Sequence, residues 1–180
     1  MHNTMVTALS VVVMCLSTSV KATEVEVVLK DNLDGYLNGY CLDIKGGGPN
    51  IKPSDGLQVH TCYSYKGALG DDQMFDSELL AKHQLYMPKF DVCAQVEDIK
   101  AGSTVSLAPC ADDPRQKIVL AKDGTLRPVS DQSLCFTASL DTRRGRNGTS
   151  DHQIKDLTLA QCSEQRARFQ QWRYRTDMDG

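Results

Sequence analysis

Apolar and polar residues alternate in short runs along this chain and rarely recur at helical spacing. Gln58-Val59-His60-Thr61-Cys62, Val105-Ser106-Leu107-Ala108 and Leu157-Thr158-Leu159-Ala160 each read as a half-buried strand. Val25, Val27 and Lys30 mark an earlier one. Ile118-Val119-Leu120 and Thr125-Leu126-Arg127 flank Asp123-Gly124, a turn pair that joins them as a hairpin. Lys155-Asp156-Leu157 and the run from Phe169 to Tyr174 supply further strands. Between these runs lie turn formers: Asp34-Gly35, Asn38-Gly39 and the loop Lys45-Gly46-Gly47-Gly48-Pro49-Asn50. Only Ser77 to His83 suggests a helix, and a short one. The pattern predicts an all-β sandwich or barrel in a single domain.

The strands belong to a longer pattern that occurs three times. Cys41-Leu42-Asp43 leads to Gln58 through Cys62 and then to Asp72-Gln73-Met74-Phe75. Cys93-Ala94-Gln95 leads to Cys110 and then to Gln116-Lys117-Ile118. Cys135-Phe136-Thr137 leads to Cys162 and then to Gln170-Gln171-Trp172. The units run over about 33–80, 85–125 and 126–175, a period of roughly 40 to 55 residues. A unit of four short strands cannot bury its own apolar face. Three around one axis can close a barrel and remove the sheet edges.

Charge and cysteines narrow the picture. Twenty basic side chains stand against 23 acidic ones, a net charge of −3, so the basic face that nucleic-acid binding requires is not expected. Met5 to Leu16 is apolar but too short to span a bilayer. Followed by Val20-Lys21-Ala22, it reads as a signal peptide over 1–22 with cleavage after Ala22, and hence as a secreted or periplasmic protein. No other segment suggests a membrane span. Of seven cysteines, Cys15 leaves with that peptide; the remaining six read as disulfides in an exported chain. Because each unit holds one pair, the repeat selects Cys41–Cys62, Cys93–Cys110 and Cys135–Cys162. Each bridge should add about 3 kcal/mol on a chain-entropy basis. No Cys-x-x-Cys spacing suggests a metal, and no cofactor is expected.

In these motifs the chain resembles the R-type lectin family, the ricin B chain-like β-trefoil, whose units carry Cys-Leu-Asp, then Gln-x-Trp-x-Cys, then Gln-x-Trp. The resemblance covers about 33–175 and implies a β-trefoil of three repeats with one disulfide in each. It also implies that Phe75, Ile118 and Trp172 are core residues and that the glutamine before each ties down backbone groups. It further implies a non-catalytic carbohydrate-binding protein, with galactose-type glycans as the default ligands. Carrying the family's sugar-reading positions across residue by residue gives Asp43, Gln58, His60 as the stacking ring, and the pair Asp72 and Gln73. Asp72 stands where asparagine is usual, so two carboxylates come close; they repel, share a proton, or take a hard cation such as calcium. The second and third repeats carry Gln95 and Thr137 in place of Asp43, Ala108 and Ala160 in place of His60, and Arg115 and Phe169 in place of Asp72. Their sites are expected to be degenerate.

Other readings stay open. A β-trefoil protease inhibitor would share the fold, and a degenerate lectin would serve as the binding subunit of a toxin or enzyme assembly, with a protein as partner. Gly-x-Ser-x-Gly, His-Glu-x-x-His and P-loop motifs do not occur, which argues against catalysis. Arg143-Arg144-Gly145-Arg146 reads as a solvated loop or as a contact for a sulfated or sialylated glycan. Asn147-Gly148-Thr149 is a glycosylation sequon.

Overall fold

The computed structural model describes residues 23–47, 51–65, 67 and 69–176. The signal-peptide reading at residues 1–22 lies outside the described residues. The first repeat supplies β1 (Glu24–Leu29), β2 (Tyr40–Ile44), β3 (Leu57–Thr61) and β4 (Met74–Asp76), followed by the helix α1 (Ser77–Ala81). The second supplies β5 (Tyr86–Met87), β6 (Val92–Val96), β7 (Val105–Ala108) and β8 (Ile118–Leu120). The third supplies β9 (Leu126–Pro128), β10 (Leu134–Ala138), β13 (Leu157–Gln161) and β14 (Trp172–Arg175). It also inserts an extra hairpin, β11 (Arg143–Arg144) and β12 (Gln153–Lys155), between its second and third strands.

The first and fourth strands of each repeat form the barrel. β1 pairs with both β4 and β14, β8 pairs with β9, and β4 packs against β5. The second and third strands form three antiparallel hairpins that cap it: β2–β3, β6–β7 and β10–β13. This is the β-trefoil plan. One continuous core fills it, with Phe75, Ile118 and Trp172 fully buried among Leu42, Val59, Phe136 and Leu159. The Trp172 indole also donates to the Phe136 carbonyl at 3.1 Å, which satisfies its single polar atom.

Each hairpin is closed by its own disulfide, Cys41–Cys62, Cys93–Cys110 and Cys135–Cys162, as the repeats imply. Short polar caps set the connections. Asp76 accepts from the backbone N–H groups of Glu78 and Leu79 and so starts α1. At Gly56, with φ of 78°, an added Cβ would meet the Val105 carbonyl oxygen at 2.7 Å, so the first and second hairpins approach as closely as they do only through glycine.

Two features depart from the sequence reading. Phe169 and Gln170 do not extend the last strand but close a short helix, α2 (Ala167–Gln170), and β14 begins only at Trp172. β1 is not half-buried by alternation, because both of its faces are covered. Val25, Val27 and Leu29 face the core, while Val28 packs on the Cys41–Cys62 bridge. Glu26, with no exposed surface, pairs with Arg175 directly across the ladder, and the Arg175 guanidinium also lies 3.8 Å from the Cys41 sulfur.

Candidate lectin site

The glutamine of each repeat makes the same set of bonds. Gln73 donates to Asp43 Oδ2 at 2.9 Å and to the Thr61 carbonyl at 3.2 Å, and accepts from the Tyr63 N–H at 2.9 Å. Gln116 donates to Gln95 Oε1 and to the Pro109 carbonyl, both at 3.0 Å, and accepts from the Ala111 N–H at 2.8 Å. Gln170 donates to Thr137 Oγ1 at 2.9 Å and to the Gln161 carbonyl at 3.0 Å, and accepts from the Ser163 N–H at 3.0 Å. The three side chains two residues past each opening cysteine therefore share one structural duty, which needs only an acceptor. Asp, Gln and Thr all meet it.

Asp43 differs from its counterparts by being an ionisable group in a buried position. It is 1% exposed, and its other oxygen, Oδ1, accepts from Gln58 at 2.8 Å, the residue opposite it in the β2–β3 ladder. Burial pushes the Asp43 carboxyl well above the ordinary carboxylate range, although the bonds from Gln58 and Gln73 pull the other way. Asp72, on the one-turn helix before β4, is 2% exposed and is also pushed up, first by burial and then by the Asp43 charge. Two such carboxyls cannot both be ionised cheaply, so ionisation of one opposes ionisation of the other. Among the described residues, no group of three metal-ligating side chains comes together here or elsewhere. Asp72 Oδ1 has no hydrogen-bond partner among them either.

Asp72 lines a cleft of about 940 Å³. Asp72 and His60 line its floor, Tyr63, Ile51, Phe90 and Lys89 flank it, and the inserted hairpin supplies Arg146, His152 and Ile154 from the far side. The hairpin is fastened to the first repeat, not merely laid on it. β12 pairs with β3, placing Ile154 opposite His60 and Lys155 opposite Val59. The buried Lys155 ammonium reaches Thr142 at 2.7 Å, the Leu140 carbonyl at 3.1 Å and Asp34 at 3.1 Å. Asp34 also accepts from Tyr40 and Thr142. Gln153 donates to the Asp34 carbonyl, and its own N–H donates to Thr61 Oγ1.

The insertion changes what His60 can do. The ring is 5% exposed and stands 5.2 Å, centre to centre, from both Tyr63 and His152, with Tyr63 and His152 5.4 Å apart. It is one member of a three-ring cluster and not the open stacking face that the family pattern implies. Tyr63 and His152 keep part of their surface exposed. Burial holds the His60 pKa below the usual imidazole value, so the ring is neutral near pH 7. Its Nδ1 lies 2.8 Å from the Thr61 carbonyl, which can only accept, so Nδ1 carries the proton and Nε2 is left as an acceptor.

The five sequence-predicted residues are thus brought together, at two levels. Asp72 and His60 line the cleft, while Asp43, Gln58 and Gln73 hold the strands beneath it. Sequence reasoning missed Tyr63, His152 and Ile154, and it offered Arg146 only as part of the arginine loop, without tying it to the first repeat. One signal was available: the third pair of cysteines is 27 residues apart, against 21 and 17 in the others, and the excess is the inserted hairpin.

Barrel, hairpin caps and threefold glutamine tie define a lectin-type β-trefoil. Residues 81–179 match the ricin-type beta-trefoil lectin domain, and the chain belongs to that family. Solved structures show the same fold at low identity. A mutant of an earthworm lectin C-terminal domain, determined with 6'-sialyllactose, superposes with a TM-score of 0.56 at 14% identity, over 86% of this chain and 99% of that one. A non-toxic homologue of type II ribosome-inactivating proteins from Momordica charantia, determined with α-methyl-D-galactoside, gives 0.56 at 12% identity over 85% of this chain and 48% of that one. The Vibrio vulnificus hemolysin/cytolysin β-trefoil lectin, determined with N-acetyl-D-lactosamine, gives 0.52 at 16% identity, over 87% and 96%. No curated protein sequence matches the chain. Among the described residues no helix is long and apolar enough to cross a membrane.

Proposed function

We propose that this protein is an exported, non-catalytic lectin whose one working site is the cleft between the first repeat and the hairpin inserted in the third. The fold supports carbohydrate binding; the placement in the first repeat rests on a single observation. Asp72, whose Oδ1 is buried without a hydrogen-bond partner among the described residues, lines a cleft together with the partly open rings of Tyr63 and His152. Saccharide recognition calls for this combination, a fixed hydroxyl partner beside ring faces that stack on C–H groups. In its protonated form Asp72 also donates, and His60 Nε2 accepts from a second hydroxyl. The other repeats present Arg115 with Ala108 and Phe169 with Ala160, which offer no carboxyl at the Asp72 position and no ring at the His60 position. Three disulfides support export to an oxidising compartment.

A glycan array, followed by calorimetric titration with methyl α-D-galactoside, tests the reading, since a galactoside occupies one of the structural neighbours. Tyr63→Ala and Asp72→Ala should each weaken binding about tenfold or more, the equivalent of one good polar or stacking contact. Gln95→Ala in the second repeat should leave it unchanged. An array without signal, or an Asp72→Ala protein that binds like the parent, overturns the assignment.

A further inference from the structure

The inserted hairpin carries three arginines in four residues, and two of them are already engaged. Arg143 donates to Asp156 at 2.6 Å and to Gln58 Oε1 at 3.4 Å. Arg144 pairs with Asp151 at 3.3 Å. Arg146 is exposed, lines the cleft, and has no side-chain partner among the described residues. Its backbone sits at φ of 49°, followed by Asn147 at 52° and Gly148 at 91°. Two consecutive non-glycine residues in the left-handed region are disfavoured and persist only where their surroundings enforce them. The enforcing bonds are present: Gly145 N–H to the His152 carbonyl, Ser150 N–H to the Gly145 carbonyl, and Thr149 Oγ1 to the Arg146 carbonyl. The turn therefore holds a free guanidinium at the rim, near the Tyr63 and His152 rings.

Most of the other charges around the cleft are paired or reduced. Lys89 pairs with Asp71 at 3.3 Å on the opposite rim, and Asp151 is taken by Arg144. At the floor the ionisations of Asp43 and Asp72 oppose each other, and His60 and His152 are both held below the usual imidazole pKa, chiefly by burial. Among the described residues, Arg146 is the cleft-lining cation that has no side-chain partner.

We infer that this cleft selects an acidic saccharide, one bearing a carboxylate or a sulfate, and that Arg146 reads the anion while Tyr63 and His152 hold the ring. The inference rests on the proposed lectin site and adds the charge class of its ligand. Guanidinium pairs with carboxylate and sulfate through two parallel N–H bonds, a geometry that an unpartnered arginine at a cleft mouth is free to adopt.

Titrating lactose, 6'-sialyllactose and 6'-sulfolactose against the parent, Arg146→Gln and Arg144→Gln tests it; the two acidic probes separate carboxylate from sulfate. The parent should bind at least one acidic probe about tenfold more tightly than lactose, as expected for a charge-assisted pair. Raising salt from about 0.05 to 0.5 M should shrink that ratio, because the contact lies at the rim. Arg146→Gln should bring the ratio close to one, and Arg144→Gln should keep it. Equal affinity of the parent for all three probes overturns the acidic preference while leaving the lectin site intact. An Arg146→Gln protein that keeps the preference overturns the role of Arg146. Failure of the parent to bind any of the three overturns both readings.

Discussion

Ile154 of the third repeat stands directly opposite His60 of the first in an antiparallel ladder, so one repeat's insertion forms a wall of another repeat's cleft. The two groups that line this wall and floor come from distant parts of the chain. Disturbing the hairpin should therefore be felt at the site even by substitutions that touch no ligand.

Lys155 is the natural handle for that test. It is buried at the base of the hairpin, bonded to Thr142, Leu140 and Asp34, and does not line the cleft. Lys155→Met keeps the bulk and removes the bonds. Hydrogen exchange should quicken at the amides joining β12 to β3, and affinity for the array-selected glycan should fall. Unchanged exchange would mean the hairpin docks without the ammonium.

Asp34 gives the same anchor a signature in acid. Burial pushes its carboxyl up, but donors from Thr142, Lys155 and Tyr40 outweigh that and hold it at about 2. A carboxylate depressed on folding contributes stability above its ordinary value near 4 and loses it as pH falls toward the folded one. Stability measured by urea unfolding should therefore drop between about pH 4 and 2, and by less in Asp34→Asn.

The Asp43–Asp72 pair acts with the opposite sign. Carboxyls raised on folding are stabilising below the ordinary range near 4 and lose that contribution as pH climbs toward the raised values. Asp72→Asn removes one member and keeps the shape. The variant should match the parent near pH 4 and exceed it by on the order of 1 kcal/mol at pH 8, read from paired melting curves. A gap that shrinks with rising pH would contradict the mutual opposition of the two ionisations.

Replacing each tie glutamine by methionine checks whether the three are equivalent. Gln73→Met, Gln116→Met and Gln170→Met each strand buried backbone and side-chain groups, at about 1–3 kcal/mol apiece. Because the bonds match in all three repeats, the losses should be similar, and they should be smaller than the loss of about 3–5 kcal/mol expected for Trp172→Ala in the core. A much larger cost at Gln73 alone would show that Asp43 does more than accept.

How much of this was readable from the sequence depended on how local each feature was. Cysteine pairs, tie glutamines and core aromatics lie within one repeat, and the threefold recurrence made them legible. Hairpin β11–β12 was not: Arg143-Arg144-Gly145-Arg146 has loop composition, its strands are two and three residues long, and its partner β3 belongs to another repeat. His60 was placed correctly on its strand but given an open face, because nothing local to it reveals the hairpin that covers it. Glu26 was unreadable for a related reason. A buried glutamate is tolerable only with an opposite charge beside it, and its partner, Arg175, lies 149 residues away in the sequence.

That last pairing bears on the order in which the molecule can assemble. Glu26 and Arg175 are 149 residues apart, and chains are synthesised at about 5–20 residues per second, so β1 emerges roughly 7 to 30 seconds before the strand that neutralises it. In that interval β1 has a charge and an apolar row but only one of its two barrel neighbours can be present. The nascent first repeat is therefore an incomplete structure, and closure awaits the last strand.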